Sequence, residues 1–455
     1  MSFELRDKRV TVMGLGRFGG GVGVARWLVA RGSRVTVTDL APAEKLTTSI
    51  EALRDCDVML RLGGHDERDF RQADLVVVNP AVPDSSPYVQ AARAAGVPLS
   101  TEINLFVERC RATCVGVTGS VGKSTITAMI GHVLERTLAR RVWVGGNLGR
   151  SLLDELSAIG EEDVAVLELS SFQLARTPAV QWSPHVAVIT NITPNHLDWH
   201  GTFDHYADSK LNLVAFQKPD RDVVIIEDIE PLRRILATRR GRGDDVWHYG
   251  LDRETPIATR TLSTLGETRD LRTAWPELRL AIPGRHNRLN AAAALSVAEV
   301  FGVEGAAATR ALASFEGLPH RLQRAAQRDG VTYYNDSKST TPEAAITAMN
   351  AIDGPLLLIL GGYDKHIDLA PAARSAAERA RFVACIGQTG AALRLAVQSA
   401  GGHAELFESF ESAVIACQRE ARPGDSVLLS PACASWDMFE DYRARGDAFV
   451  RLVRQ

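Results

Sequence analysis

Val115-Gly116-Val117-Thr118-Gly119-Ser120-Val121-Gly122-Lys123-Ser124-Thr125 decides the fold. An apolar, β-leaning run, Thr113 to Val117, leads into a glycine-rich turn. Lys123, Ser124 and Thr125 then open a helical pattern of Ile126, Met129, Ile130, Val133 and Leu134. A strand, a glycine loop and a helix N-terminus make an anion cradle, because backbone N–H groups point into the loop and the helix end carries partial positive charge. In such a cradle Gly119 and Gly122 let the backbone approach phosphate closely. Lys123 is expected to reach the β- and γ-phosphates, and the Ser124 hydroxyl to sit on Mg2+. The spacing is T-G-x-x-G-K-[ST], since position 117 is Val. The plainer alternative is an ordinary βα turn, but Gly-Lys-Ser-Thr stands where the phosphate mechanism needs it.

Working outward, 455 residues suit about three domains. With a net charge of −3 the chain has no electrostatic footprint for nucleic acid. No apolar run approaches the ~18 residues of a membrane span. The charged start, Met1 to Asp7, is followed by a strand and does not read as a signal peptide. The six cysteines (56, 110, 114, 385, 417, 433) lack C-x-x-C spacing and are expected to be reduced, mostly core thiols of a cytoplasmic protein.

Before the phosphate loop, Arg9 to Met13 reads as a buried strand, followed at once by Gly14-Leu15-Gly16-Arg17-Phe18-Gly19. A helix pattern (Val22, Ala25, Leu28, Val29) and a strand, Arg34 to Thr38, end at Asp39. This is a βαβ unit with G-x-G-x-x-G and an acid roughly 20 residues on, which suits NAD or any nucleotide diphosphate. Leu75 to Val78 is a buried strand that turns at Asn79-Pro80-Ala81, and Thr101 to Arg109 reads as a helix.

After the phosphate loop come a short strand, Arg141 to Val144, and a tight loop, Gly145 to Gly149. Val164 to Gln173 reads as an apolar strand with one carboxylate, Glu168. Beside a phosphate loop that strand edge faces the nucleotide, and Mg2+ there wants carboxylate oxygen; the alternative is a surface acid. Val186 to Asn191 is a further strand, with His196 beyond its end. Asp204 to Phe216 reads as a helix, on which composition alone makes Lys210 a solvated lysine. Residues 238–275 are polar and turn-rich, a weak sheet or an excursion. Asn287 and Asn290 share one face of an alanine-rich helix, which suits amide contacts to a base or ribose.

Gly317 to Arg321 reads as a linker with a basic pair, His320-Arg321. Val331 to Asn335, Leu356 to Leu360, Phe382 to Ile386 and Ser426 to Leu429 read as strands. Each ends in a polar or glycine loop, with helical patterns between. The fold class is α/β: an N-terminal Rossmann-like nucleotide-binding domain (1–105), a central P-loop-type ATPase domain with a mostly parallel sheet (106–318), and a C-terminal Rossmann-like domain (319–455).

Thr118 to Thr125, Gly145-Gly146-Asn147, Glu168 to Gln173, Asn191 to Asp198, His286 to Asn290, Leu318 to Arg321 and Asn335 to Thr340 resemble the motifs of the Mur ligase family. The resemblance extends over essentially the whole chain. Within the family, the Gly14 loop and the tail Leu428 to Asp437 look most like the branch that joins D-glutamate to UDP-N-acetylmuramoyl-L-alanine. The resemblance implies a cytoplasmic, monomeric ligase of peptidoglycan synthesis that uses ATP and two Mg2+ ions, with no nucleic-acid or membrane partner. By that resemblance Lys123 holds the ATP phosphates, Ser124 and Glu168 take one Mg2+, and His196 and Lys210 take the other, Lys210 as a carbamate. Gly119, Ser120, Gly122, Thr125, Asn287, Asn290, Arg321 and Asp336 complete the ATP site. Leu15, Gly16, Asp39, Asn79 and Ala81 face UDP, while Asn147, Gln173 and His196 approach the muramoyl part. Lys338, Thr340, Lys365, Ser435 and Tyr442 meet glutamate carboxylates. The chain departs from the family's usual pattern at Arg17-Phe18 in the uridine loop and at Trp436 and Tyr442.

Rival readings are a sister Mur ligase, the same chemistry with L-glutamate, a folylpolyglutamate synthase, an NAD-dependent oxidoreductase and a nucleotide-controlled binding module. The folyl enzymes lack a Gly14 domain, and an oxidoreductase leaves the Gly119 loop unexplained.

Overall fold

The protein is described by a computed structural model covering residues 4–16, 20–148, 151–218, 221–239, 246–264 and 267–455. Arg17, Phe18 and Gly19 of the first glycine loop, and Gly149 of the second, lie outside the described residues.

The first sheet comprises β1 (Arg9–Met13), β2 (Arg34–Asp39), β3 (Val58–Leu62), β4 (Leu75–Val78) and β5 (Leu99–Ser100), in the order β3-β2-β1-β4-β5. All its pairings are parallel, with Val12 opposite both Val37 and Val77. The order reverses between β1 and β4, so the loops leaving those two strands diverge and open a crevice at the carboxyl edge. One loop starts at Gly14 and the other at Asn79.

The central sheet comprises β6 (Thr113–Thr118), β7 (Val142–Gly146), β8 (Val164–Glu168), β9 (Val186–Ile189), β10 (Val223–Glu227), β11 (Val246–Asp252), β12 (Thr255–Thr264) and β13 (Glu267–Ala274), in the order β13-β12-β11-β10-β9-β6-β8-β7. The strand of the phosphate loop, β6, lies between β8 and β9, parallel to both. Its neighbours are buried along their length, which explains their unbroken runs of Val, Ala, Ile and Leu: helices cover both faces of a parallel sheet. Each Val, Ile or Leu side chain among them contributes roughly 1.5–3 kcal/mol on burial.

The third sheet comprises β14 (Gln323–Arg328), β15 (Val331–Asn335), β16 (Leu356–Gly361), β17 (Ala380–Ile386), β18 (Ala404–Leu406) and β19 (Ser426–Leu429), in the order β14-β15-β19-β16-β17-β18. Only β14 runs antiparallel, paired with β15 as a hairpin. The last strand in the chain lies in the middle of the sheet, between β15 and β16. The chain separates into two compact units. The first two sheets belong to one; the other takes in the third sheet together with Pro276–Asn290 and all residues from Thr309.

Several sequence expectations are corrected. The strand expected through Gln173 stops at Glu168, because Ser170 caps a helical turn, Ser171–Leu174, in a reciprocal capping box with Gln173. Gly145 and Gly146 are the end of β7, not a loop. The helix expected to Phe216 ends at Leu211. Of the two readings of residues 238–275, the sheet is the one found: Val246–Asp252, Thr255–Thr264 and Glu267–Ala274 are strands that extend the central sheet. Lys210 is not solvated but 2% exposed. The Gly317–Arg321 stretch is a tight turn closed by a bridge between Leu318 and Arg321. Within it, His320 is buried and bonded to Asn335.

Candidate active site

The phosphate loop is braced from β9, the strand beside β6. Thr190 to Thr193, at the end of β9, brace it: the Ser120 N–H donates to Asn191 O (2.7 Å), the Val121 N–H to Asn191 Oδ1 (3.0 Å), and the Ser120 hydroxyl to Thr193 O (3.0 Å). Gly119 (φ +146°) packs so closely there that a Cβ would overlap the Thr190 hydroxyl. Gly122 (φ +88°) starts the helix Lys123–Thr137 from a left-handed backbone that favours glycine. Lys123, Ser124 and Thr125 form that helix's first turn, where its dipole is positive.

Two lysines converge on this loop. Lys123 Nζ donates to Gly119 O (2.9 Å) and Ser120 O (3.1 Å), and Lys210 Nζ donates to the same Gly119 O (2.7 Å). Lys210 comes from the helix Phe203–Leu211, whose N-terminus is capped by Thr202. Its ammonium also lies over the Tyr206 ring, 4.7 Å from the centroid, and the Tyr206 hydroxyl bonds Ser120 Oγ at 2.8 Å. Burial lowers the Lys210 pKa to about 7; Lys123 pushes it the same way and Glu168 opposes.

Glu168 ends β8 and is 2% exposed. Asn147 Nδ2 donates to its Oε1 (2.8 Å), while its Oε2 is buried without a partner. An orphaned buried carboxylate oxygen beside a phosphate loop fits a divalent cation. Among the described residues no group of three or more His, Cys, Asp or Glu forms a metal cage. The fit is therefore to an ion that keeps water and phosphate oxygens in its shell, as Mg2+ does.

His196 heads the short helix Leu197–His200 from a left-handed backbone (φ +52°), its ring 4.9 Å from that of Phe172. His196 is exposed, and partial desolvation lowers its pKa, with Asp198 opposing and Lys210 and Lys123 adding to it. A neutral imidazole is the form that ligates metals.

At the edge of the first sheet, Asp39 accepts the Gly16 N–H at Oδ2 (3.0 Å) and the Ala41 N–H at Oδ1 (2.8 Å), which pins the glycine loop to β2. Asn79 Oδ1 accepts the Ala81 N–H (3.0 Å). The Leu15 side chain is in the core, and Gln173 is engaged in its capping box.

In the second unit, Asn287 and Asn290 are buried on one helix face, the Asn290 amide donating to Asn287 Oδ1 (3.4 Å). Arg321 is exposed. Asp336 is buried, accepting from Leu322 N, Ser339 Oγ and Ser430 Oγ; burial raises its pKa to about 6. Around the ends of β15, β16 and β19, Thr340, Lys365, Thr389 and Cys433 line one small hollow. Lys338 lies over the Tyr442 ring, and Lys365 over the exposed Trp436. The Ser435 hydroxyl is buried without a partner.

Sequence reasoning missed Asn191, Tyr206, His200 and Arg445. Arg445 is 1% exposed; it donates to Ser337 Oγ, Ser337 O, Cys433 O and Ala434 O, so it ties the Lys338 loop to the Ser435 loop. Asn191, at a strand end beside Thr190, could have been found by position. Nothing in its local sequence marks Arg445.

The first unit thus defines a class: a P-loop protein that brings two lysines, a half-paired carboxylate and a neutral imidazole to the carboxyl edge of one parallel sheet. Comparison with known proteins narrows it. Three family models match, described as Mur ligase MurD-like N-terminal domain (residues 8–101), Mur ligase middle domain (117–298) and Mur ligase glutamate ligase domain (320–433). The chain belongs to the Mur ligase family. It is 40% identical over 466 residues to a UDP-N-acetylmuramoylalanine–D-glutamate ligase of Roseiflexus, covering 99% of each chain. It is 38% identical to the protein of that name from Pelotomaculum thermopropionicum, over 99% of this chain and 98% of that one. Among solved structures, the UDP-N-acetylmuramate–alanine ligase of Thermotoga maritima shares the fold: TM-score 0.59, 20% identity, 98% of this chain and 99% of that chain covered. The MurF ligase of the same organism, solved with ADP, gives 0.53 at 18% identity, over 99% and 95%. Among the described residues no helix is long and apolar enough to cross a membrane.

Proposed function

We propose that the chain is an ATP-dependent ligase that adds D-glutamate to UDP-N-acetylmuramoyl-L-alanine through an acyl phosphate, in peptidoglycan precursor synthesis. The observation that carries the chemistry is the convergence of Lys123 and Lys210 on Gly119 O, with the half-paired Glu168 close by. The choice of D-glutamate rests on the names of the full-length relatives.

A carboxylate is a poor electrophile until one oxygen becomes a phosphate leaving group. Lys123 and the N–H groups of the helix's first turn neutralise the ATP phosphates, so that the alanine carboxylate can take the γ-phosphoryl group and release ADP. The glutamate amine then attacks the acyl carbon, and the tetrahedral intermediate collapses to amide and inorganic phosphate. Ser124 and Glu168 would hold one Mg2+, and His196 and Lys210 a second; when bound, these ions neutralise the phosphate oxygens. For Lys210 to ligate, its neutral amine takes up CO2 as a carbamate and loses a proton. A pKa of about 7 keeps much of the amine neutral near pH 7.

In this reading Gly119, Ser120, Gly122, Thr125, Asn287, Asn290, Arg321 and Asp336 bind ATP. Leu15, Gly16, Asp39, Asn79, Ala81, Asn147 and Gln173 bind the UDP substrate, and Lys338, Thr340, Lys365, Ser435 and Tyr442 bind glutamate. The working domains are 1–105, 106–318 and 319–455. The enzyme acts as a cytoplasmic monomer, where its unpaired thiols suit a reducing compartment.

Phosphate release from ATP and Mg2+ tests the reading, with UDP-N-acetylmuramoyl-L-alanine and D-glutamate, L-glutamate or neither. Release is expected only with the UDP substrate and D-glutamate together. A demand for L-glutamate moves the specificity, and release indifferent to both overturns the assignment.

A further inference from the structure

Two side chains from the ligand edge of the central sheet reach into one loop of the first sheet. Trp199, on the short helix headed by His196, donates its indole N–H to Ala81 O at 3.0 Å. Arg176, just beyond the helical turn that follows Glu168, donates to Val82 O at 2.8 Å and pairs with Asp84 at 3.0 Å. The Arg176 side chain is only 10% exposed, and its own carbonyl accepts from the Asn104 amide at 2.9 Å.

The two arms are tied to each other. His200 Nε2 bonds Ser171 Oγ at 2.9 Å, and the Phe172 ring stacks on His200 (5.5 Å) and meets Trp199 edge-on (5.1 Å). The segment after Glu168 and the segment after His196 therefore form one block that grips residues 81–84. The grip is on main-chain carbonyls, which sets the path of the loop. Apolar packing alone would leave that path free to slide.

We propose that Arg176 and Trp199 are positioning residues that clasp the Ala81–Asp84 loop to the Glu168 and His196 segments. Seating the UDP substrate on that loop and aligning the phosphoryl-transfer groups then become one event. The inference rests on the reading of Asn79 to Ala81 as part of the UDP-substrate site. Neither residue is assigned a contact with substrate.

The test is steady-state phosphate release by the full chain and three variants, Trp199→Phe, Arg176→Gln and Arg176→Lys, with melting temperatures and a UDP titration of each. Trp199→Phe keeps an aromatic ring, though a smaller one, and deletes the donor. Its KM for the UDP substrate is expected to rise about tenfold while its KM for ATP stays within about twofold of the parent. Arg176→Gln is expected to raise the same KM more, because a charge-assisted contact is lost, and Arg176→Lys to restore part of it. Equal KM values in parent and variants, or a loss that tracks melting temperature alone, overturns the clasp. A parent with no affinity for UDP overturns the reading of the loop as well; a parent that binds UDP, with variants that match it in KM for the UDP substrate, overturns the clasp only.

Discussion

Lys210 carries its amine into a site that disfavours its charged form. Its native pKa of about 7 lies below the ordinary lysine value of 10.5, so between those values the unfolded chain holds a proton that the native chain has shed. Stability therefore rises with pH across that window, and the full penalty is present below it. Replacing Lys210 by Met removes the penalty. The stability of Lys210→Met relative to the parent is expected to be more favourable at about pH 6 than at about pH 9, with turnover lost at both. Urea denaturation at the two pH values measures this, and a difference of the opposite sign would refute the buried-amine account. Lys123→Ala and Glu168→Ala are each expected to abolish phosphate release while leaving the circular dichroism spectrum near the parent's. Near-normal rates in either would remove that residue from the phosphate and metal assignment.

At the scale of elements, the helix Phe203–Leu211 delivers both Lys210 and Tyr206, and its first turn depends on the Thr202 side chain, which accepts the His205 N–H at 3.2 Å. Thr202→Ala is expected to cost about 1 kcal/mol of stability by losing the cap; a change near zero in denaturant unfolding would show that tertiary packing alone holds the helix. The helix Tyr442–Arg454 works similarly on the third sheet. Asp441 caps it, accepting from Arg443 N and Ala444 N, and the buried Arg445 on its first turn joins two loops. Arg445→Met would leave Ser337 O and Cys433 O without their donor, while Ala434 O keeps the Tyr363 N–H, so a loss of about 3 kcal/mol is expected. Full stability in that variant would mean the loops hold without the clamp.

For the whole molecule, the six thiols report on all three sheets. Cys114, Cys385, Cys417 and Cys433 are buried, whereas Cys56 and Cys110 are partly exposed. Burial raises the pKa of Cys385 to about 12, and a thiol without thiolate character is unreactive. Reaction of the native protein with a thiol reagent at neutral pH is expected to be fast at Cys56 and Cys110 and to reach the other four only on denaturation. Fast labelling at Cys385 or Cys417 would show that the third sheet opens on the reagent's timescale.

The phosphate loop, the strands around it and the polar edge where they end were legible because each is written locally. A buried parallel strand is a run of Val, Ile, Leu and Ala, and its end is marked by glycine, asparagine or serine. Gly119 to Thr125 occupies consecutive positions, and so does the Gly14 loop. What joins these stretches was not legible. Lys210 reads as a solvated lysine until its helix is laid across Gly119. Nothing local marks Arg445; the insertion of β19 between β15 and β16 brings Cys433 and Ser337 to its side chain. Pro276–Asn290 reads with the central domain, yet packs in the second unit. Periodicity and turn chemistry act within a few residues, so the sequence by itself determined the phosphate loop, the strands beside it and most of their ligand-facing ends. Burial and charge at a given side chain depend on which distant strands become neighbours, and only the tertiary structure decided that.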